Sequence, residues 1–203
     1  MIRANALAAM AAVAVLVVLT GCRTAPPSAT ILGPGADAPW PAQRAALEKL
    51  DRYALNGKVA VAANGQGFTA NLRYQQQPRR ADLALDGPLG IGGMRIGLEE
   101  HALAVTNSRG EALDGEAARA EIERRLGFEL PLGELRWWLL GLPAPGEAQL
   151  DAATDSGEIR GFRQNGWQVV INARAPALGF ALPQRLTAER DGARLKLYVE
   201  RWQ

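Results

Sequence analysis

Asn165-Gly166 and Asp191-Gly192 each sit between two stretches in which apolar and polar residues alternate. Asn-Gly and Asp-Gly suit a two-residue hairpin turn, because both turn positions need positive φ. Segments 158–164 and 167–173 flank the first, and 182–190 and 193–202 flank the second. The same period of two runs through the first half of the chain. Leu55, Val59, Val61 and Ala63 alternate with small or polar neighbours, and Asn56-Gly57 predicts a bulge among them. After a turn at 64–67, Phe68, Ala70, Leu72 and Tyr74 share one face, with Thr69, Asn71, Arg73 and Gln75 opposite. Ala81, Leu83 and Leu85, then Met94, Ile96 and Leu98, then Leu103 and Val105 repeat the pattern. One apolar face and one polar face is what antiparallel hairpins show. About ten or eleven short strands of this kind predict a mainly β barrel or sandwich.

Helical spacing interrupts the alternation twice. Pro41 suits a first helical position, and Ala46, Leu47 and Leu50 follow at three- and four-residue steps, predicting a short amphipathic helix over 41–51. In the middle, Asp114 predicts a cap for a helix through Glu116, Ile122 and Leu126 that Gly127 ends. After Pro131, the run 132–140 contains Leu135, Trp138 and Leu139 and is very apolar for a surface helix, until Gly141-Leu142-Pro143 stops it. The helical insertion therefore spans about 114–142. The strand faces carry mostly medium-sized side chains. A curved sheet of that many strands has an interior wide enough for a ligand unless bulky groups fill it. An apolar helix over its mouth would be a lid on a container for something greasy. The same residues could equally fill a core.

Catalytic chemistry finds no constellation. His101 is the sole histidine, in the charged stretch Glu99-Glu100-His101, and Cys22 is the sole cysteine, so a clustered metal site is excluded. Ser28, Ser108 and Ser156 lie in turn-like stretches with no Gly-x-Ser-x-Gly around them. Gly90 and Gly92 would begin a dinucleotide fingerprint, but Arg95 stands where its third glycine belongs. The reading is of a protein without catalytic residues, metal or cofactor.

The N-terminus sets the compartment. Arg3 precedes an apolar run over 6–19, then Thr20-Gly21 and Cys22. Charge, apolar run and small residues in that order read as an export signal. The run is too short for a bilayer-spanning helix, which needs about 20 residues. Leu19-Thr20-Gly21-Cys22 resembles the lipobox of bacterial lipoproteins, which implies cleavage of residues 1–21 and lipid on Cys22. The resemblance also gives Arg23 meaning: an aspartate there retains such proteins in the inner membrane, and its absence favours the outer one. Residues 22–40, rich in Pro, Gly and Ala, read as a flexible tether, leaving 41–203 as one domain. With Arg3 removed the balance is 22 basic against 21 acidic residues. No Lys/Arg stripe stands out, so the electrostatic footprint of nucleic-acid binding is missing.

One loop is unusual. In Asp86-Gly87-Pro88-Leu89-Gly90, Pro88 and Gly90 are turn residues and Leu89 takes the tip, where a polar residue is expected. With this tip, the block Leu135-Arg136-x-Trp138-x-Leu140-Gly141-Leu142-Pro143 after Pro131-Leu132, the Gln164-Asn165-Gly166-Trp167 hairpin and the ending Leu195-Lys196-Leu197 with Trp202, the chain resembles the LolB family of outer-membrane lipoprotein receptors. The resemblance implies an unclosed antiparallel β-barrel of about eleven strands, LolA/LolB-like, with a helical lid. It implies a monomeric receptor that accepts lipoproteins from a LolA-type periplasmic carrier and inserts them into the outer membrane. Pro88, Leu89 and Gly90 would form its membrane-insertion loop. From the apolar strand faces and the lid, Leu72, Met94, Ile96, Leu98, Leu135, Trp138 and Leu139 are the expected lining for acyl chains. Two other readings stay open: a lipoprotein binding glycolipid or fatty acyl chains, and a non-catalytic envelope-assembly module with a filled core.

Overall fold

A computed structural model describes residues 32–87, 93–100 and 102–203. Cys22, the loop residues Pro88, Leu89 and Gly90, and His101 lie outside the described residues. Helix α1 (Trp40–Leu47) leads into β1 (Tyr53–Ala63), β2 (Gln66–Gln77), β3 (Arg80–Asp86), β4 (Met94–Glu99), β5 (Ala102–Thr106) and β6 (Ala112–Asp114). Helices α2 (Gly115–Leu126) and α3 (Leu132–Leu139) follow. The chain ends with β7 (Gln149–Ala152), β8 (Ile159–Gln164), β9 (Trp167–Ala177), β10 (Phe180–Arg190) and β11 (Ala193–Trp202).

All eleven strands form one sheet in the order β6-β5-β4-β3-β2-β1-β11-β10-β9-β8-β7, every neighbouring pair antiparallel. The first and last strands thus meet in its middle, with Val59 opposite Leu197 and Val61 opposite Leu195. Its edges, β6 and β7, are not paired to each other, so the barrel is unclosed. The connection between those edges carries α2 and α3, whose apolar sides cover the inner face. Helix α2 turns Ala118, Ile122 and Leu126 inward, at helical spacing, and ends on Gly127 at φ 83°.

Four turns, Asn64-Gly65, Asn165-Gly166, Leu178-Gly179 and Asp191-Gly192, have positive φ at both residues, as a tight hairpin demands. The β1–β11 register shifts between Asn56 and Gly57, where the bulge was predicted. Gly57 is needed there because a Cβ would sit 2.2 Å from the Tyr198 carbonyl oxygen. Helix α1 starts at Trp40 and stops at Leu47, shorter than its periodicity suggested. Bonds of the i→i+3 kind, Lys49 N to Ala46 O and Leu50 N to Leu47 O, tighten its last turn and release the chain toward β1. Phe68 belongs to the apolar face of β2 by alternation but is 37% exposed near the strand's end. Within the segment read as tether, the amides of Leu32 and Gly33 donate to the Leu178 carbonyl, and Gly35 N donates to Gly179 O.

Candidate functional site

Alternation on the central strands sends one set of side chains inward, where they face α2 and α3 across a small void. Its sheet wall is Val59 and Val61 of β1, Leu72 of β2, Leu83 and Leu85 of β3, Leu186 and Ala188 of β10, and Leu195 and Leu197 of β11. Leu126 of α2, Leu130 of the α2–α3 connection, and Leu135, Trp138 and Leu139 of α3 close it from the other side. Every lining residue is apolar, and the void measures ≈ 80 Å³. An engineered apolar cavity of about 150 Å³ takes one benzene. The void as it stands is therefore a seam between sheet and helices, too small for a long acyl chain.

Of the residues singled out from the sequence, Leu72, Leu135, Trp138 and Leu139 meet at this void. Met94 and Ile96 are buried on the same sheet face, on β4, beyond the wall, which ends at β3. Leu98 lines a separate open cleft of ≈ 450 Å³ with Leu103, Leu130, Pro131, Leu132 and Trp167. Sequence reasoning overlooked the half of the wall that β10 and β11 supply. Its signal, Leu186 and Ala188 against Leu195 and Leu197, was present as period two, but only the β1–β11 pairing brings these strands to Leu72.

Polar groups pin α3 over the void. The Trp138 indole Nε1 donates to Gln164 Oε1 at 3.0 Å, and Gln164 also accepts from Ala144 N and donates to Ala144 O. Asn165 Nδ2 donates to Glu134 Oε1 at 2.7 Å. From β1, the Tyr53 hydroxyl donates to the Arg136 carbonyl. Tyr53 stacks obliquely on Tyr74 and Trp202, and burial pushes both tyrosine hydroxyls above their ordinary pKa, keeping them protonated donors. Trp138 packs edge-on against Phe162 and Trp167, with centroids 6.0 and 6.1 Å away. Arg136, from the motif, lays its guanidinium over Trp137 at 4.7 Å.

The void is wholly apolar, with no acid, base or nucleophile in its lining. Among the described residues there is no group of three His, Cys, Asp or Glu able to hold a metal ion. Among them, too, no helix is long and apolar enough to cross a membrane.

Residues 51–202 match the model of a protein family described as outer membrane lipoprotein LolB. A protein of Stutzerimonas stutzeri named outer-membrane lipoprotein LolB is 30% identical over 185 residues, covering 91% of this chain and 90% of its own. One of the same name from Pseudomonas paraeruginosa is 31% identical over 193 residues, covering 95% and 94%. In fold alone, the chain is similar to a crystal structure of a DUF1329 family protein from Desulfovibrio piger, at TM-score 0.52 and 7% identity, over 77% of this chain and 87% of that one.

Proposed function

The chain belongs to the LolB family, and from that premise we propose that its half-barrel receives the acyl chains of incoming lipoproteins in the space between sheet and helices. Family membership makes it an outer-membrane lipoprotein receptor of the lipoprotein localisation pathway, working with LolA, and not an enzyme. The observation that carries the proposal is the wholly apolar lining of the void under α3. Apolar contacts are non-directional, so such a wall accepts any acyl chain whatever protein it carries. At ≈ 80 Å³ the space is smaller than a long acyl chain, so sheet and helices must part for a chain to enter. Nothing in such a site consumes nucleotide, so transfer runs down a gradient of affinity from carrier to receptor to bilayer. A difference of about 1.4 kcal/mol at each handover favours the next holder tenfold.

In this reading residues 1–21 are removed, Cys22 carries the lipid, and the domain acts as a monomer. Residues 32–35 are held on the Leu178-Gly179 turn, which leaves nine residues between Cys22 and the first held one. Nine residues reach at most about 30 Å. The anchor keeps the domain near the membrane and takes no part in loading. Cys22→Ala should therefore leave the membrane fraction and still take up a triacylated lipopeptide from the carrier; loss of uptake would make the anchor part of the binding machinery.

Leu89 carries the release step. In the sequence it stands between Pro88 and Gly90 in the β3–β4 connection, an apolar residue where a polar one is expected, and we assign it the contact with lipid. Leu89→Glu should take up cargo normally but transfer it to liposomes at least about tenfold more slowly, since about 1.4 kcal/mol of added cost suffices. Uptake and transfer, measured separately with purified carrier and liposomes, check this; unchanged transfer would remove the loop from the mechanism.

A further inference from the structure

Leu130 touches two spaces at once. It is part of the wall of the small apolar void, and it also lines the larger ≈ 450 Å³ cleft. That cleft runs over the α2–α3 connection, with Leu98 and Leu103 on one side and Trp167 on the other. Its apolar floor has a charged rim, which includes Glu100, Arg119, Glu129, Glu134 and Arg190. An acyl chain joined to a peptide has the matching character, hydrocarbon at one end and polar amide and ester groups at the other.

The two elements that could yield to such a chain are not held alike. Helix α3 is pinned from both halves of the sheet, by Tyr53 on β1 and by Gln164 and Asn165 at the end of β8, and it buries Trp138 and Leu139. In the α2–α3 connection, Glu129 makes an exposed contact with Arg119 at 3.5 Å, and Asn64 donates to the Gly127 carbonyl. Phe128 is buried edge-on against Trp167, but beyond it Glu129 is exposed and Leu130 is half-buried, its carbonyl accepting from Leu132 N within the connection itself. Segments with few buried contacts and exposed bonds open at the lowest free energy.

We propose that acyl chains enter the void from the cleft, past Leu130, while α3 stays seated. Leu130 is the gate residue on this route. When it turns aside, cleft and void become one channel with an apolar interior and a charged mouth. The acylated end of the cargo slides in tail first, leaving its peptide at the rim. This rests on the acyl-binding function proposed above and adds the route.

Stopped-flow loading with a dansyl-labelled undecanoic acid, and then with a triacylated lipopeptide, tests the route in the full mature domain. Leu130→Ala should load several-fold faster than the unaltered protein, and Leu130→Trp several-fold slower. Tyr53→Phe, which frees one pin of α3, should load at the unaltered rate. Matching urea midpoints would show that the Leu130 variants are folded; Leu130→Ala alone suffices if the larger side chain is not accommodated. Faster loading in Tyr53→Phe, with both Leu130 variants unchanged, would overturn the route in favour of a swinging α3. If the unaltered protein binds neither probe, the acyl-binding function fails first, and the route with it.

Discussion

Replacing Gln164 by alanine should cost the domain about 2–4 kcal/mol, chiefly through the buried Trp138 indole. Gln164 is 4% exposed and uses both ends of its amide. Its oxygen accepts from the Trp138 indole at 3.0 Å and from Ala144 N at 2.9 Å, and its nitrogen donates to Ala144 O at 2.8 Å. Truncation leaves an indole N–H and a backbone N–H and C=O without partners. Each buried unsatisfied group costs about 1–3 kcal/mol, and water entering the vacated space recovers part of the total. The effect is read as a lower urea midpoint with unchanged slope, which marks lost stability rather than a changed denatured state. Gln164→Glu gives a second reading. A carboxylate can accept from Trp138 and Ala144 N but cannot donate to Ala144 O, whereas its protonated form can. That variant should therefore grow more stable relative to the unaltered protein as pH falls through the raised pKa of the buried acid. If Gln164→Ala unfolds at the unaltered urea concentration, α3 is not held from β8.

The same residue shows how far the sequence could be read. The Gln164-Asn165-Gly166-Trp167 hairpin was visible because its turn residues obey local backbone sterics. What Gln164 does was not, since its partners Trp138 and Ala144 come from α3 and the loop after it. Strands with clean alternation were legible for the same local reason, down to the bulge at Gly57. Strands β6 and β7 were not, because three and four residues are too few to show a period. The β9–β10 turn was hidden for another reason. Leu178 adopts φ 54°, a conformation leucine rarely takes, next to Gly179 at φ 81°. The turn is held by a distant segment, through the amides of Leu32 and Gly33 on the Leu178 carbonyl. No pattern around residue 178 could announce that. The cavity wall divides along the same line. Which face of each strand points inward is a local property; where the wall ends is set by the pairing of β1 with β11, far apart in the chain.

Arg174→Met should destabilise the domain by about 2–4 kcal/mol, and the loss should survive high salt. The Arg174 side chain is 9% exposed, yet it reaches three other elements and the residue before β8. Its guanidinium pairs with Glu158 at 2.9 Å, donates to the carbonyls of Ile159 on β8 and Ala181 on β10 at 2.8 and 3.0 Å, and lies 4.6 Å from the Trp40 ring of α1. Burial pulls its pKa down and the Glu158 carboxylate pulls it back up; burial is the larger of the two. Arginine remains charged regardless, so what burial sets is the cost of losing its partners. Methionine keeps much of the side-chain volume and none of the donors, removing the side-chain hydrogen bond from each of two carbonyls. Glu158 is 41% exposed and can turn to water, so Glu158→Gln should cost clearly less than Arg174→Met. Lysine cannot serve three acceptors in one plane, so Arg174→Lys should recover only part of the loss. The cluster also fixes the exit from α3. Gly141 has φ 75°, and a Cβ there would lie 2.9 Å from Pro183 Cγ and 3.0 Å from an Arg174 nitrogen. Arg174 and Gly141 therefore occupy one packed unit, and Gly141→Ala combined with Arg174→Met should cost less than the sum of the two alone. Strict additivity in that double-mutant cycle would mean that the end of α3 is held independently of the guanidinium, and that the Leu-Gly-Leu-Pro block is shaped by backbone conformation alone.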